Sequence, residues 1–191
     1  MKHIITATDR KQMPWKNGLG LTEEFAIFPP NSTLKNFSWR VSMAHVTRDS
    51  AFSPFPGVIR HMAIFEGAMR LKFADRPPRL LTRTGPIETF RGDDPVSASV
   101  VTGPVRDLNI MTRGQCTARL SRVSAGQAVS FEATTETALM IAIEPLTVSG
   151  KTDRFELLRY DALRIDRPGQ QDLYAITSGD CYVVQTFPAS K

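Results

Sequence analysis

The sequence predicts an all-β protein, and the spacing of its turn-forming residues is the first reason. Thirteen prolines and twelve glycines divide the 191 residues into short runs that are rich in Val, Ile, Phe and Thr. Such runs between turn formers are typical of short strands. No window of helical length keeps an apolar stripe at helical spacing, although residues 8–13 suggest one helical turn. We therefore expect a sandwich or a barrel.

Period-two alternation of apolar and polar residues is the second reason, and it locates the strands. The segments that alternate or stay apolar most clearly are 24–28, 37–46, 58–65, 69–73, 96–101, 105–112, 117–123, 138–143, 155–160, 173–177 and 181–187. Each is bounded by Gly, Pro or a polar turn, which is where a strand ends.

An internal repeat with a period of about 77 residues is the third reason. Residues 62–67 resemble 140–145, residues 80–83 resemble 157–160, and residues 101–104 resemble 177–180, in the same order. Within each copy the strands follow the order of a cupin, the small jelly-roll barrel. We predict a double cupin, or bicupin, with a first half at 1–113 that carries an N-terminal ligand loop and a second half at 114–191. No linker separates the halves, so we expect them to pack as one unit.

Composition limits the functions that the chain can have. No apolar run reaches the roughly 18 residues of a membrane span, and the N-terminus lacks an apolar signal core, so we expect a cytoplasmic protein that contacts no membrane. The formal net charge is +5, but Lys and Arg are dispersed singly, which argues against nucleic-acid binding. Cys116 and Cys181 are too far apart for a closely spaced zinc set, and we expect reduced thiols.

The segment 14–24 is the least ordinary part of the sequence. Gly18 and Gly20 permit close approach of the backbone, and Lys16 and Asn17 supply a cation and an amide donor. The pattern is compatible with a plain turn and also with a loop that cradles a ligand. It lacks the order of a phosphate-binding loop.

The strand at 37–46 has one apolar and one small, polar face. Alternation places Phe37, Trp39, Val41 and Met43 on the first face, and Ser38, Arg40, Ser42 and Ala44 on the second. Inside a barrel, the guanidinium of Arg40 would be costly unless an anion met it. The alternative is a surface face with an exposed arginine.

The segment 52–61 is a rigid aromatic-proline turn that leads into the next strand. Metal-binding cupins place two histidines one residue apart in this region, whereas this chain has Arg60 and His61. The only other histidines are His3 and His45. We therefore expect no metal and no cofactor, and a positive charge at Arg60 favours an anion.

The segment 107–112 alternates so that Asp107, Asn109 and Met111 share one face. Asn109 could hydrogen-bond a ligand. Asp107 could form a bidentate pair with Arg60 or Arg40, or could simply cap the strand.

These motifs resemble the HutD/Ves family over residues 10–113. The matching segments are 15–18 with Gly20, Thr22 and Glu24, then 39–44, 52–57 with Arg60, 66–67, and 103–111. Leu19 departs from the all-glycine run usual at that point. The resemblance implies a bicupin fold and, for HutD-like members, control of bacterial histidine utilisation through binding of an acidic intermediate such as urocanate or formylglutamate.

Our hypothesis is a non-catalytic pocket for a small anionic metabolite. It is formed by the cations Lys16, Arg40 and Arg60, the neutral partners Asn17, Ser42, His61 and Asn109, and the apolar walls Trp15 and Phe52.

Two alternatives stay open. The first is a metal-independent cupin enzyme acting on a small acid, with His61 or Glu66 as acid or base. The second is a transcriptional partner. The second half carries Glu144, Tyr160, Tyr174 and Gln185 without clustered donors, so we expect a structural or homodimer-forming role there.

Overall fold

The computed structural model describes residues 1–15, 18 and 20–188, and it confirms the all-β prediction. Seventeen strands and no α-helix occur among these residues. In the same part of the chain, no helix is long and apolar enough to cross a membrane. The chain divides into two compact units, an N-terminal unit at Lys11–Gly114 and a C-terminal unit formed by Met1–Arg10 and Gln115–Lys191.

The first ten residues therefore belong to the C-terminal unit and not, as predicted, to the first half. Strand β1 (Lys2–Ile5) pairs antiparallel with β15 (Ala162–Asp166). The helical turn predicted at 8–13 is also wrong. The carboxylate of Asp9 accepts the backbone N–H of Thr6 at 2.8 Å and closes a turn, and a strand begins at Lys11.

The N-terminal unit is one eight-stranded sheet whose strands run in the order β2-β3-β4-β9-β6-β7, with β5 paired to β9 and β8 paired to β6. These strands are β2 Lys11–Pro14, β3 Gly20–Phe28, β4 Trp39–Val46, β5 Ser50–Ala51, β6 Val58–Phe73, β7 Arg79–Thr82, β8 Glu88–Arg91 and β9 Val96–Arg113.

Strands β6 and β9 are each continuous where the sequence predicts two strands. Their register shifts around Glu66 and Ala68, so the paired strands bend instead of ending. Gly67 lies at the bend with φ +78°, and a Cβ placed on it would be 2.5 Å from the carbonyl oxygen of Thr102. Only glycine fits this position, because both the backbone angle and the close approach exclude a side chain.

The C-terminal unit contains two sheets, in the orders β1-β15-β12-β17-β10 and β11-β16-β13-β14. The strands not yet given are β10 Thr117–Ser124, β11 Ala128–Ser130, β12 Thr137–Ala142, β13 Leu146–Ser149, β14 Arg154–Leu157, β16 Leu173–Ser178 and β17 Asp180–Phe187.

The predicted repeat is visible in this pairing. The long pair β6–β9 corresponds to β12–β17 followed by β13–β16. Where β6 bends at Gly67, the second copy breaks at Pro145. A Cβ placed on Gly179 would clash with the carbonyl oxygen of Pro145, so the backbones approach closely at this break as they do at Gly67. The two units are thus two versions of one strand arrangement.

Candidate ligand-binding site

A cavity of about 460 Å³ lies inside the N-terminal unit. Its walls come from β4, β6 and β9, from the β2–β3 hairpin, and from the segment 50–55. Its charged and hydrogen-bonding lining comprises Thr22, Arg40, Ser42, Ser50, Ser53, Arg60, Asp107 and Asn109, and its aromatic lining comprises Trp15, Phe52 and Phe55. The cavity therefore combines apolar walls with a few polar groups, which is the usual make-up of a small-molecule site.

Three neighbouring strands present the polar side chains in cross-strand rows. One row holds Arg40, Met111 and Arg60, the next holds Ser42 beside Asn109, and the third holds Ala44 beside Asp107. Residues two apart on a strand point to the same face, so the alternation of β4 and of β9 brings these groups to one side of the sheet.

Arg40 is buried and paired. It is 4% exposed, and its Nε donates to Oε2 of Glu24 at 2.6 Å. Glu24 lies on β3 next to a register shift between Glu24 and Ala26, which sets its position against β4. The charge of Arg40 is therefore largely neutralised by a neighbour in the fold.

Arg60 is equally buried but has no such partner. It is 3% exposed, and its Nε donates to Oδ1 of Asn109 at 3.4 Å. Its guanidinium carbon lies 4.4 Å from the ring centre of Phe52 and 5.2 Å from that of Phe90. Within the described part of the chain, no carboxylate oxygen lies within 4.0 Å of its nitrogens.

The charge state of Arg60 follows from this environment. Burial lowers the pKa of its guanidinium to about 10, and the charge of Arg40 acts in the same direction while Asp107 opposes it. A pKa near 10 still leaves the group protonated at neutral pH. The cavity therefore contains a permanent cation that is held by aromatic rings and one amide.

Asp107 is the most deeply buried charged group in the cavity wall. It is 1% exposed, and its Oδ1 is buried without a hydrogen-bond partner among the described residues. Burial raises the pKa of this carboxyl to about 7, against the opposing attraction of Arg60. The predicted bidentate pair of Asp107 with Arg60 or Arg40 is wrong, because Arg40 pairs with Glu24 and Arg60 bonds Asn109.

Most of the predicted site residues come together here. The cavity lining includes Trp15, Arg40, Ser42, Phe52, Arg60 and Asn109. Trp15 is held against the β2–β3 hairpin because its Nε1 donates to Oγ1 of Thr22 at 2.8 Å. Lys16 and Asn17 lie outside the described residues. That the assembled groups bind a ligand stays a prediction.

His61 does not join the cavity, which corrects its predicted role there. It follows Arg60 directly on β6 and so points to the opposite face. Its Nδ1 lies 2.9 Å from Oγ1 of Thr89 on β8, and burial lowers the pKa of its imidazole. The other proposed acid or base, Glu66, is also absent from the cavity lining, and Arg106 lies 3.6 Å from its carboxylate.

Sequence reasoning missed three residues that shape the site. Glu24 neutralises Arg40, and Phe55 and Phe90 complete the aromatic surround of Arg60. Phe55 belongs to the aromatic-proline turn that the sequence already marked, so it could have been included. Glu24 is among the residues that resemble the HutD/Ves family, but its contact with Arg40 depends on strand register, and Phe90 carries no signal in the sequence.

In the C-terminal unit, the positions that correspond to the polar residues of the cavity hold apolar side chains. When the strand pair β6–β9 is aligned with β12–β17 through the internal repeat, Arg60 corresponds to Ala138, Asn109 to Val183, and Asp107 to Cys181. These three counterparts are buried in one apolar cluster. The strand arrangement therefore does not require charged groups inside it, and the polar set of the N-terminal unit needs another reason.

Comparison with known proteins identifies a family. A family model described as HutD matches residues 7–183. The chain is 39% identical over 118 residues to protein Ves of Citrobacter koseri, a match that covers 59% of this chain and 60% of that protein. It is 35% identical over 111 residues to an uncharacterized 21.2 kDa protein in the hutC 3′ region of Pseudomonas putida, a match that covers 56% of each. The chain thus spans about three fifths of the length of these curated relatives.

Solved structures extend the likeness over the full chain. HutD from Pseudomonas fluorescens SBW25, in a formate condition, is 30% identical with a TM-score of 0.85, and 100% of each chain is covered. A conserved protein of unknown function from Pseudomonas aeruginosa PAO1 is 29% identical with a TM-score of 0.83 and the same coverage. An oxalate decarboxylase variant from Bacillus subtilis, 9% identical with a TM-score of 0.63 over 97% of this chain and 77% of that one, shares the cupin fold alone. The chain is a bicupin and belongs to the HutD family.

Proposed function

We propose that the N-terminal unit binds a small carboxylate metabolite without converting it, and that binding reports the level of that metabolite during histidine utilisation. One observation carries the proposal. Arg60 is 3% exposed, faces a cavity of about 460 Å³, and has no carboxylate within 4.0 Å among the described residues.

The energetics of a buried guanidinium support an anionic ligand. Removing this cation from water is costly, and a single amide oxygen at 3.4 Å returns little of that cost. Arginine offers five N–H donors in a planar fork that matches a carboxylate. A ligand carboxylate would therefore satisfy donors of Arg60 that the protein leaves unused.

The aromatic walls define the rest of the ligand. Phe52 lies against the guanidinium of Arg60, and Trp15 and Phe55 line the same cavity. These rings accommodate an apolar or planar body attached to the carboxylate. The cavity volume falls in the usual range for small-molecule sites, about 300–1,000 Å³.

The family relationship suggests which acids to test first. One relative lies in the hutC 3′ region of P. putida, and the P. fluorescens HutD structure belongs to a formate condition, formate being the smallest carboxylate. Urocanate and formylglutamate are acidic intermediates of histidine utilisation and are therefore the first candidates.

Calorimetry with Arg60→Met tests the proposal. Titration of the wild-type chain with urocanate and with formylglutamate should show one-site binding to at least one of them, and Arg60→Met should weaken it on the order of 10- to 100-fold, as expected for loss of a charge-assisted pair. Arg91→Met is the matched control, because Arg91 is exposed and pairs with Asp93 at the surface. Equal affinity in Arg60→Met and the wild type would eliminate the proposal.

The same titrations separate binding from catalysis. If the site is non-catalytic, the acid recovered after prolonged incubation with the protein should be chemically unchanged by NMR. Turnover that Arg60→Met abolishes would instead establish the alternative, a metal-independent enzyme acting on a small acid.

A further inference from the structure

Asp107 is the group in the cavity that carboxylate binding alone does not explain. It is 1% exposed, lines the same cavity as Arg60, and its Oδ1 has no hydrogen-bond partner among the described residues. A buried acceptor left unpaired costs about 1–3 kcal/mol, and more when it is charged. The fold does not impose this cost, because the equivalent position in the C-terminal unit holds Cys181 in an apolar cluster.

We propose that Asp107 makes the site selective for small acids that also carry an N–H donor, with the ligand carboxylate on Arg60 and the N–H on Oδ1 of Asp107. This inference rests on the proposed function, since it requires a carboxylate at Arg60. It names a class of ligand: a small carboxylate that also bears a ring or amide N–H.

The distance between the two groups fits such a ligand. Arg60 pairs with Met111, and Asp107 lies four residues further along β9. At about 3.3 Å per residue the backbone separation is about 13 Å. The side chain of Arg60 reaches back as far as Asn109, which lies halfway along this interval. The guanidinium nitrogens and the carboxyl oxygens are more than 4.0 Å apart, and both groups line the same cavity, so one ligand in the cavity can contact both.

The charges around Asp107 determine which ligand groups it favours and which it disfavours. Asp107 pairs with Ala44 on β4 and Ile64 on β6, neither of which is charged. The other charged residues that line its cavity are Arg60, which has no carboxylate within 4.0 Å among the described residues, and Arg40, which pairs with Glu24. An ionised Asp107 accepts an N–H and repels a second carboxylate. A ligand that lacks the N–H leaves the acceptor unpaired, which is the situation in which buried polar groups discriminate most strongly.

Matched pairs of heterocyclic acids test the inference. Pyrrole-2-carboxylate and furan-2-carboxylate differ only in N–H against ring oxygen, and 3-(pyrrol-2-yl)acrylate and 3-(furan-2-yl)acrylate form a second pair with a longer reach. All four are measured at pH 8, above the pKa of about 7 of Asp107. The wild-type chain should bind the pyrrole member more tightly in at least one pair, on the order of 10-fold.

Two variants remove the acceptor. Asp107→Leu replaces the carboxyl with an apolar side chain of similar branching, and Asp107→Cys introduces the smaller residue found at the equivalent position in the C-terminal unit. Both should lose the preference for the pyrrole acids and should still bind the furan acids at least as well as the wild type. The use of two variants guards against misfolding of one.

The outcomes separate this inference from the function on which it rests. If both members of each pair bind equally to the wild type while Arg60→Met weakens all of them, the carboxylate site stands and the role of Asp107 is overturned. A pyrrole preference that persists in Asp107→Leu and Asp107→Cys also overturns it. If Arg60→Met changes no affinity, the proposed function itself fails.

Discussion

Arg40 and Arg60 occupy the same cross-strand row, one on each side of Met111, yet among the residues that the structure describes only Arg40 has a carboxylate partner. Both side chains are nearly inaccessible to solvent. The difference divides their roles, because a paired arginine stabilises the fold and an unpaired one is free to bind a ligand. The row therefore contains one structural and one candidate binding arginine, and each can be tested alone.

Glu24→Gln should destabilise the protein by about 3 kcal/mol, because it leaves the buried charge of Arg40 without its partner. Urea unfolding measures this. Glu156→Gln is the matched control: its ion pair with Arg154 has side chains 66% and 74% exposed and should contribute less than about 0.5 kcal/mol. If both variants lost a similar free energy of unfolding, the buried Arg40–Glu24 pair would contribute no more to stability than an exposed ion pair.

Gly67→Ala should cost clearly more than Gly126→Ala. Both glycines have positive φ, at +78° and +85°, so both variants incur the same backbone strain of about 1 kcal/mol. A Cβ at Gly67 would also meet the carbonyl oxygen of Thr102 at 2.5 Å, whereas no described heavy atom lies within 4 Å of a Cβ at Gly126. The free energies of unfolding of the two variants, measured in urea, should therefore differ by at least about 1 kcal/mol. Equal values would contradict the role of Gly67 in bending β6.

The sequence was sufficient for the fold class and the repeat, and it failed where strands bend. Glycine in a strand pattern predicts a turn, so the sequence divides β6 near Gly67 and β9 near Gly103, whereas both strands are continuous. Bulges allow a strand to continue through such residues, and their presence depends on the partner strand. The sequence does not predict strand β1 for a related reason, since β15, with which it pairs, lies far along the chain.

For the site, alternation within single strands succeeded and contacts between strands did not follow from it. It correctly placed Arg40 with Ser42, and Asp107 with Asn109. The same rule excludes His61, because adjacent strand residues cannot both face the cavity that Arg60 faces. The pairing of Arg40 with Glu24 instead depends on a register shift in β3, which no local pattern encodes.

Asp107→Asn should change stability in a pH-dependent way. Burial raises the folded-state pKa of Asp107 from 3.8 to about 7, so between these values the native state binds a proton that the unfolded state has lost. The wild type therefore loses stability as pH rises from about 4 to about 7, whereas an amide has no proton to lose. The stability of Asp107→Asn relative to the wild type should rise between pH 5 and pH 8 in urea unfolding. A difference that is the same at both pH values would show that this carboxyl is not perturbed.

The affinity for a simple carboxylate should fall as pH rises through the same range. Furan-2-carboxylate is fully ionised above pH 5 and carries no N–H donor, so the titration of Asp107 changes only the protein side of the contact. Once ionised, Asp107 attracts Arg60 and repels the bound anion, which it faces with Arg60 across one cavity. Calorimetry at pH 6 and pH 8 should show weaker binding at pH 8 in the wild type, on the order of several-fold, and a nearly flat profile in Asp107→Asn.

His61 titrates nearby but faces Thr89 on the other side of β6, so His61→Gln should leave the wild-type profile in place. Tighter binding at pH 8, or a profile that follows His61, would remove Asp107 from the description of the site.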